Sequence, residues 1–159
     1  MSPPYASRQL QAQIADKRVN ANGGRIEYSP PGNTTLAQEC ASAMAEKNEM
    51  HAKTNTAEQP LVSILIPAYK ARWFERALCS ALAQDYPKLE ILVYDNCPTE
   101  DIRDICARYP SVIYYRNPNM GPQNSLDIAS ASHGRYVKHL FDDDLLEPTC
   151  VSQLVAAIQ

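Results

Sequence analysis

Residues Pro60 to Asn96 read PLVSILIPAYKARWFERALCSALAQDYPKLEILVYDN. Within them LVSILIPAY (Leu61 to Tyr69) is a short apolar, β-branched run that ends at a proline, the pattern of a buried strand. Trp73, Ala77, Leu78, Ala81 and Leu82 then recur at helical spacing, which predicts an amphipathic helix over Arg72 to Gln84. LEILVYDN (Leu89 to Asn96) is a second strand of the same buried type. Strand, helix and strand within about 35 residues is the size of one βαβ unit.

The alternation continues outward from this unit. A helix is expected near Thr99 to Arg108, opened by a Thr cap, then a strand at SVIYYRN (Ser111 to Asn117). A helix near Gln123 to Ala131 leads to the strand YVKHLF, which stops at the aspartates of HLFDDDLLEP (His139 to Pro148), where Glu147-Pro148 has the form of another helix start. Repeated β-α alternation predicts an α/β fold with a mainly parallel sheet and helices on both faces. In any strand one of Tyr114 and Tyr115 must face the core, so the pair reads as core plus surface.

Residues 1–59 differ in kind. They are rich in Ser, Pro, Asn, Gln and Ala, contain the breakers Gly23-Gly24 and Pro30-Pro31-Gly32, and hold few large apolar residues. A poorly structured linker or tail is expected, with one helix over about 35–52, where Thr35 and Gln38 fit a capping box. The whole chain of 159 residues leaves room for one ordinary domain, at 60–159.

Composition excludes several functions. A formal charge of −3 supplies no basic field for a nucleic-acid backbone. The five cysteines are an odd count without C-x-x-C spacing, as expected of reduced thiols in a cytoplasmic protein. No apolar run approaches the roughly 18 residues of a membrane span, and the first residues lack the form of a signal peptide. Expected localisation is therefore the cytoplasm or the inner face of the membrane. None of the three histidines clusters with Cys or Glu at metal-ligand spacing.

In open α/β sheets ligands bind beyond the carboxyl ends of the strands. Those ends carry Pro67-Ala68-Tyr69, Asp95-Asn96, Asn117 to Gly121, and Asp142-Asp143-Asp144. The same residue types also serve ordinary turns. If extended geometry persists through the aspartates, Asp142 and Asp144 share a face. Two carboxylates about 6 Å apart repel by roughly 3 kcal/mol at an effective dielectric of 20, a cost that solvent, protonation or a hard divalent cation removes. A solvated acidic cluster at a helix N-terminus fits the spacing as well as a metal site does.

The stretch quoted first, followed by NMGPQN and by GRYVKHLFDDDLLEP, resembles the N-terminal half of family 2 glycosyltransferases with the GT-A fold, whose sheet has a Rossmann-like half. Four separated segments occur in the expected order over about Gln59 to Gln159. The resemblance implies that Pro67, Ala68 and Tyr69 hold the nucleotide base, that Asp95 hydrogen-bonds it, and that Gly121 and Asn124 approach the nucleotide or its diphosphate. Ser80 and Gln84 match residues of packing and positioning type. It further implies a D-x-D-type motif that binds Mg²⁺ or Mn²⁺. Aligned on the -DDL- ending, with Phe141 where the family usually has Asp, Asp143 touches the ribose, Asp144 holds the metal and Asp142 supports it. Read literally as D-x-D, the metal pair is Asp142 and Asp144.

The implied reaction is inverting transfer of a sugar from a nucleotide-diphosphate donor to a hydroxyl of a saccharide or other acceptor. In the family the general base lies well beyond the metal motif, and no residue up to Gln159 is assignable to it. The expectation is thus a donor-binding half, inactive alone. A nucleotidyltransferase-like enzyme and a non-catalytic nucleotide-binding module are the alternatives. Against the first, PAYKAR carries neither a G-x-G-x-x-G nor a Walker pattern.

Overall fold

The computed structural model describes residues 59–117 and 123–159, together with Gln38, Cys40, Ala41, Ser42, Ala45 and Lys47, which are helical. From Pro60 onward the order is β1 (Val62–Ala68), α1 (Ala71–Leu82), β2 (Leu89–Asp95), α2 (Asp101–Cys106), β3 (Val112–Arg116), α3 (Gln123–Ser130), β4 (Tyr136–His139) and α4 (Cys150–Ile158). The strands form a sheet of order β3-β2-β1-β4, parallel at every junction. The expected α/β architecture is present.

The apolar runs of β1 and β2 are continuous because both faces of the sheet are covered. Ile64, Ile66, Ile91 and Val93 pack beneath α1, α2 and α4, against Phe74, Leu78, Ile102, Val151 and Val155. The alternate residues Leu65 and Leu92 meet Ile128 of α3 on the other face. Tyr114 packs against the larger cluster, whereas Tyr115 is exposed and its ring lies 4.9 Å from that of Tyr94. Cys40 joins the larger cluster, so part of the helix expected over 35–52 is docked; its proposed capping residue Thr35 lies outside the described residues.

Pairing sets the strand ends level. Ala68 of β1 stands beside Asp95 of β2, and Asp95 beside Arg116 of β3. The chain builds outward from β1 to β2 and β3, then crosses back to place β4 on the other side of β1. That reversal is the topological switch point, where neighbouring connections leave in opposite directions and open a crevice.

Three local expectations are corrected. Extended geometry does not persist through the aspartates: Asp142 and Asp143 form a turn, closed by a 3.1 Å bond from the Asp144 amide to the Phe141 carbonyl. Thr99 does not cap α2, which starts at Asp101; its hydroxyl instead donates to the Asp101 carboxylate at 2.8 Å. The last helix starts at Cys150 rather than at Glu147-Pro148, because the preceding segment is held to α1 by side-chain bonds.

At the opposite, amino-terminal edge of the sheet, Ser63 and Glu90 are register partners in β1 and β2. The Glu90 carboxylate accepts the Ser63 hydroxyl and the backbone amides of His133, at 2.6 Å, and Gly134, at 3.1 Å. Gly134 also donates to the Ser63 hydroxyl at 2.8 Å. A Cβ at Gly134 would stand 2.4 Å from Ser63 Oγ and 2.5 Å from the Ser63 backbone nitrogen, so only glycine allows the chain to approach this closely.

Candidate functional site

Beyond the carboxyl ends of β1 and β4, where the switch-point rule places ligands, stand three aspartates of unequal environment. Asp142 is 7% exposed, while Asp143 and Asp144 are exposed. One carboxylate oxygen of Asp142, Oδ2, accepts the backbone amide of Tyr69 at 2.7 Å and that of Lys70 at 2.6 Å. These are the last two amides before α1. The Leu140 amide bonds the Leu65 carbonyl at 2.9 Å, so β4 remains attached to β1 until one residue before Phe141.

Helix α1 secures the far side of the same loop. The Ser80 hydroxyl accepts the Leu146 amide at 3.1 Å while donating to the Ala77 carbonyl. Gln84, fully buried, donates to the Ser80 and Glu147 carbonyls and accepts the Val151 amide at 3.0 Å. A further bond joins the Asp85 amide to the Pro148 carbonyl at 2.9 Å. A buried glutamine with both ends engaged costs little, and it fixes the loop without needing a neighbouring strand.

Asp95 ends β2 fully buried. Its Oδ1 accepts the Cys97 amide, and its Oδ2 accepts the Tyr114 hydroxyl and the Arg116 guanidinium, each at 2.8 Å. Three of roughly four carboxylate lone-pair sites are thereby filled. Burial, followed by the bond to Asp95, raises the Tyr114 phenol to about 12. Burial and the Asp95 charge likewise push the Cys106 thiol up to about 12. In this conformation the Asp95 carboxylate is closed off from solvent.

Asn117 and Asn124 form a second buried bridge. The Asn117 amide group donates to Asn124 Oδ1 at 2.8 Å, and Asn124 donates to the Tyr94 carbonyl at 3.0 Å. They tie the start of α3 to the end of β2. Gly121 and Asn119 lie outside the described residues. Pro67 is partly buried, Ala68 is buried, and the Tyr69 ring is exposed beside the crevice.

The structure therefore brings the Tyr69 backbone against Asp142 of the aspartate turn, places Asp95 in the neighbouring strand β2, and places Asn124 in α3, which packs on β1 and β2, the last two in bonded networks. Sequence reasoning passed over Arg116, the ion-pair partner of Asp95, and over the Ser63–Glu90 pair. Polar residues inside otherwise apolar strands were the signal that could have found that pair.

Carboxylate oxygens are the donors that a hard divalent cation prefers, and such an ion commonly takes one or two of them alongside phosphates and water. The exposed carboxylates of Asp143 and Asp144 fit that use. Among the described residues no group of three or more His, Cys, Asp or Glu side chains is arranged to hold a metal ion.

Fold and strand ends define a parallel-sheet α/β protein with an acidic turn beside its switch point. The chain belongs to glycosyltransferase family 2: the family model described as Glycosyl transferase family 2 matches residues 63–159. It is 34% identical over 93 residues to the putative teichuronic acid biosynthesis glycosyltransferase TuaG of Bacillus subtilis, a match spanning 54% of this chain and 37% of that protein. To a chondroitin synthase of Escherichia coli it is 31% identical over 122 residues, covering 73% of this chain and 18% of the relative. The chain thus spans well under half the length of these relatives. Among solved structures, the mannosyltransferase PcManGT from Pyrobaculum calidifontis, in complex with GDP-Man and Mn²⁺, superposes with a TM-score of 0.51 at 21% identity. That superposition covers 78% of this chain and 42% of the other, and bears on the fold. Among the described residues no helix is long and apolar enough to cross a membrane.

Proposed function

We propose that residues 60–159 form the donor-binding part of a glycosyltransferase, which takes a nucleotide-diphosphate sugar together with Mg²⁺ or Mn²⁺ and serves inverting transfer to a hydroxyl of a saccharide or other acceptor. The observation that carries this reading is the exposure of Asp143 and Asp144 in the turn that follows β4 of a family 2 domain, next to the Asp142 bonds to the β1–α1 junction. The ligands of the mannosyltransferase complex, GDP-Man and Mn²⁺, are of the same chemical class.

In this reading Asp144 holds the metal and Asp143 meets the ribose. When bound, the metal offsets negative charge on the departing nucleoside diphosphate. The chain's own residues bind and orient. Pro67, Ala68 and Tyr69 line the base, with the exposed Tyr69 ring as a stacking surface. Asp95 accepts from the base through its remaining lone-pair site, with Arg116 displaced. Asn124, and Gly121 before it, border the nucleotide from the α3 side.

Titration of UDP and of GDP into the protein, with and without Mn²⁺, tests the proposal. One of the two is expected to bind more tightly with the metal, and Asp144→Ala is expected to remove that gain while leaving the metal-free affinity. A protein that binds neither nucleotide under either condition contradicts the reading.

A further inference from the structure

Asp142 differs from its two neighbours in burial, in bonding and in what it holds. Its carboxylate faces inward from the acidic turn, and two consecutive amides of the β1–α1 junction donate to one of its oxygens. Lys70, at the N-cap position of α1, offers no side-chain cap. Asp142 thus supplies from 72 residues away what a local Asp or Ser commonly supplies, a charge-assisted acceptor at the positive end of a helix.

We infer that Asp142 is a positioning residue, which clamps the Tyr69-Lys70 backbone to the acidic turn and so sets the distance between the base-binding aromatic and the metal-binding carboxylates. The inference rests on the donor-site reading above and deepens it. Asp143 and Asp144 lie within two residues of the clamp, and Tyr69 itself provides one of the clamped amides. A shift of the turn relative to β1 would therefore separate the two halves of a bound nucleotide's site. The Asp142 carboxylate is engaged by two backbone amides inside the turn, whereas Asp143 and Asp144 are exposed at its surface.

Asp142→Asn and Asp142→Ala, measured beside Asp144→Ala, separate positioning from metal ligation. Asparagine keeps an oxygen able to accept both amides but is a poor replacement for a carboxylate ligand. Nucleotide affinity, for UDP or GDP as the wild type selects, is measured with and without Mn²⁺, and backbone amide spectra are recorded for each variant. Asp142→Asn is expected to retain the Mn²⁺-dependent gain. Asp142→Ala is expected to weaken nucleotide binding by about tenfold or more in both conditions, as misplacement of binding groups does. Only the Tyr69 and Lys70 amide resonances and their immediate neighbours should move strongly.

Loss of the Mn²⁺ gain in Asp142→Asn, matching Asp144→Ala, would make Asp142 a metal ligand and overturn the inference. Unchanged binding in Asp142→Ala would also overturn it. If Asp142→Ala does not fold, Asp142→Asn decides alone. Absence of nucleotide binding in the wild type would instead remove the underlying reading, and this role with it.

Discussion

The two edges of the parallel sheet each hold an inward-facing carboxylate that accepts two backbone amides, Glu90 at the amino-terminal edge and Asp142 at the carboxyl-terminal edge. Around Glu90 the partners are a register neighbour and the chain entering β4, and the network closes on itself. Around Asp142 the same device is followed at once by two exposed acids at the switch point. One edge fastens the fold, and the other fastens a loop whose two further acids are exposed. The difference is one of exposure, since both edges are polar but only the carboxyl-terminal one presents adjacent acids to solvent.

The comparison breaks most readily where a buried carboxylate is removed. Asp95→Ala leaves the Tyr114 hydroxyl and the Cys97 amide without their acceptor, and is expected to cost about 3 kcal/mol in urea or guanidinium unfolding. A change below the error of the measurement would mean that the network is replaceable by water. At the amino-terminal edge, Gly134→Ala drives a methyl group against the Ser63 backbone, which must shift. An overpacking loss of about 1–3 kcal/mol is expected, with nucleotide affinity unaltered.

Glu90 sharpens the contrast through pH. Burial alone would raise its carboxyl, but the bonds from Ser63, His133 and Gly134 together outweigh burial and hold it below the ordinary value of 4.5. The folded group is thus the stronger acid. Its contribution to stability is complete above the ordinary glutamate value and is lost as pH falls through the lower folded value. Glu90→Gln is expected to flatten that acid limb of a stability-versus-pH curve, and an unchanged limb would contradict the assignment. The smallest effect belongs to Arg103, whose pairs with Glu100 and Asp104 are solvent-exposed. Arg103→Ala should change stability by less than about 0.5 kcal/mol in the same unfolding assay.

Much of the fold is legible in sequence because its central strands are buried on both sides. LVSILIPAY and LEILVYDN are apolar at successive positions, and the observed strands Val62–Ala68 and Leu89–Asp95 fall inside them. The helix between is legible from its apolar stripe. Boundaries shift where tertiary bonds replace local signals. The aspartate turn is one such case, because Asp142 turns inward to meet amides of the β1–α1 junction, and no spacing rule reports a bond across 73 residues. The start of α4 is another, since Gln84 holds Glu147 and Val151 in place of a local cap.

At the candidate site, the strand-end rule and the acidic run both point to the carboxyl-terminal edge, where the structure places the aspartate turn beside β1. Burial could not be read there. Asp142, Asp143 and Asp144 are identical in sequence, and only packing against β1 distinguishes the first from the other two. Asp95 is similar: its position at a strand end is visible, whereas its closure under Tyr114 and Arg116 depends on the register of β2 with β3.

The central claim is that nucleotide and metal meet at the carboxyl-terminal edge, and paramagnetic broadening by Mn²⁺ tests it most directly. Amide spectra would be recorded with UDP or GDP present, as Mn²⁺ is added in substoichiometric steps. The account predicts that resonances of Phe141 to Leu145 and of Tyr69 and Lys70 broaden first, while those of Ser63, Glu90, His133 and Gly134 remain sharp. Broadening centred on the Glu90 edge, or spread evenly over the surface, would contradict it.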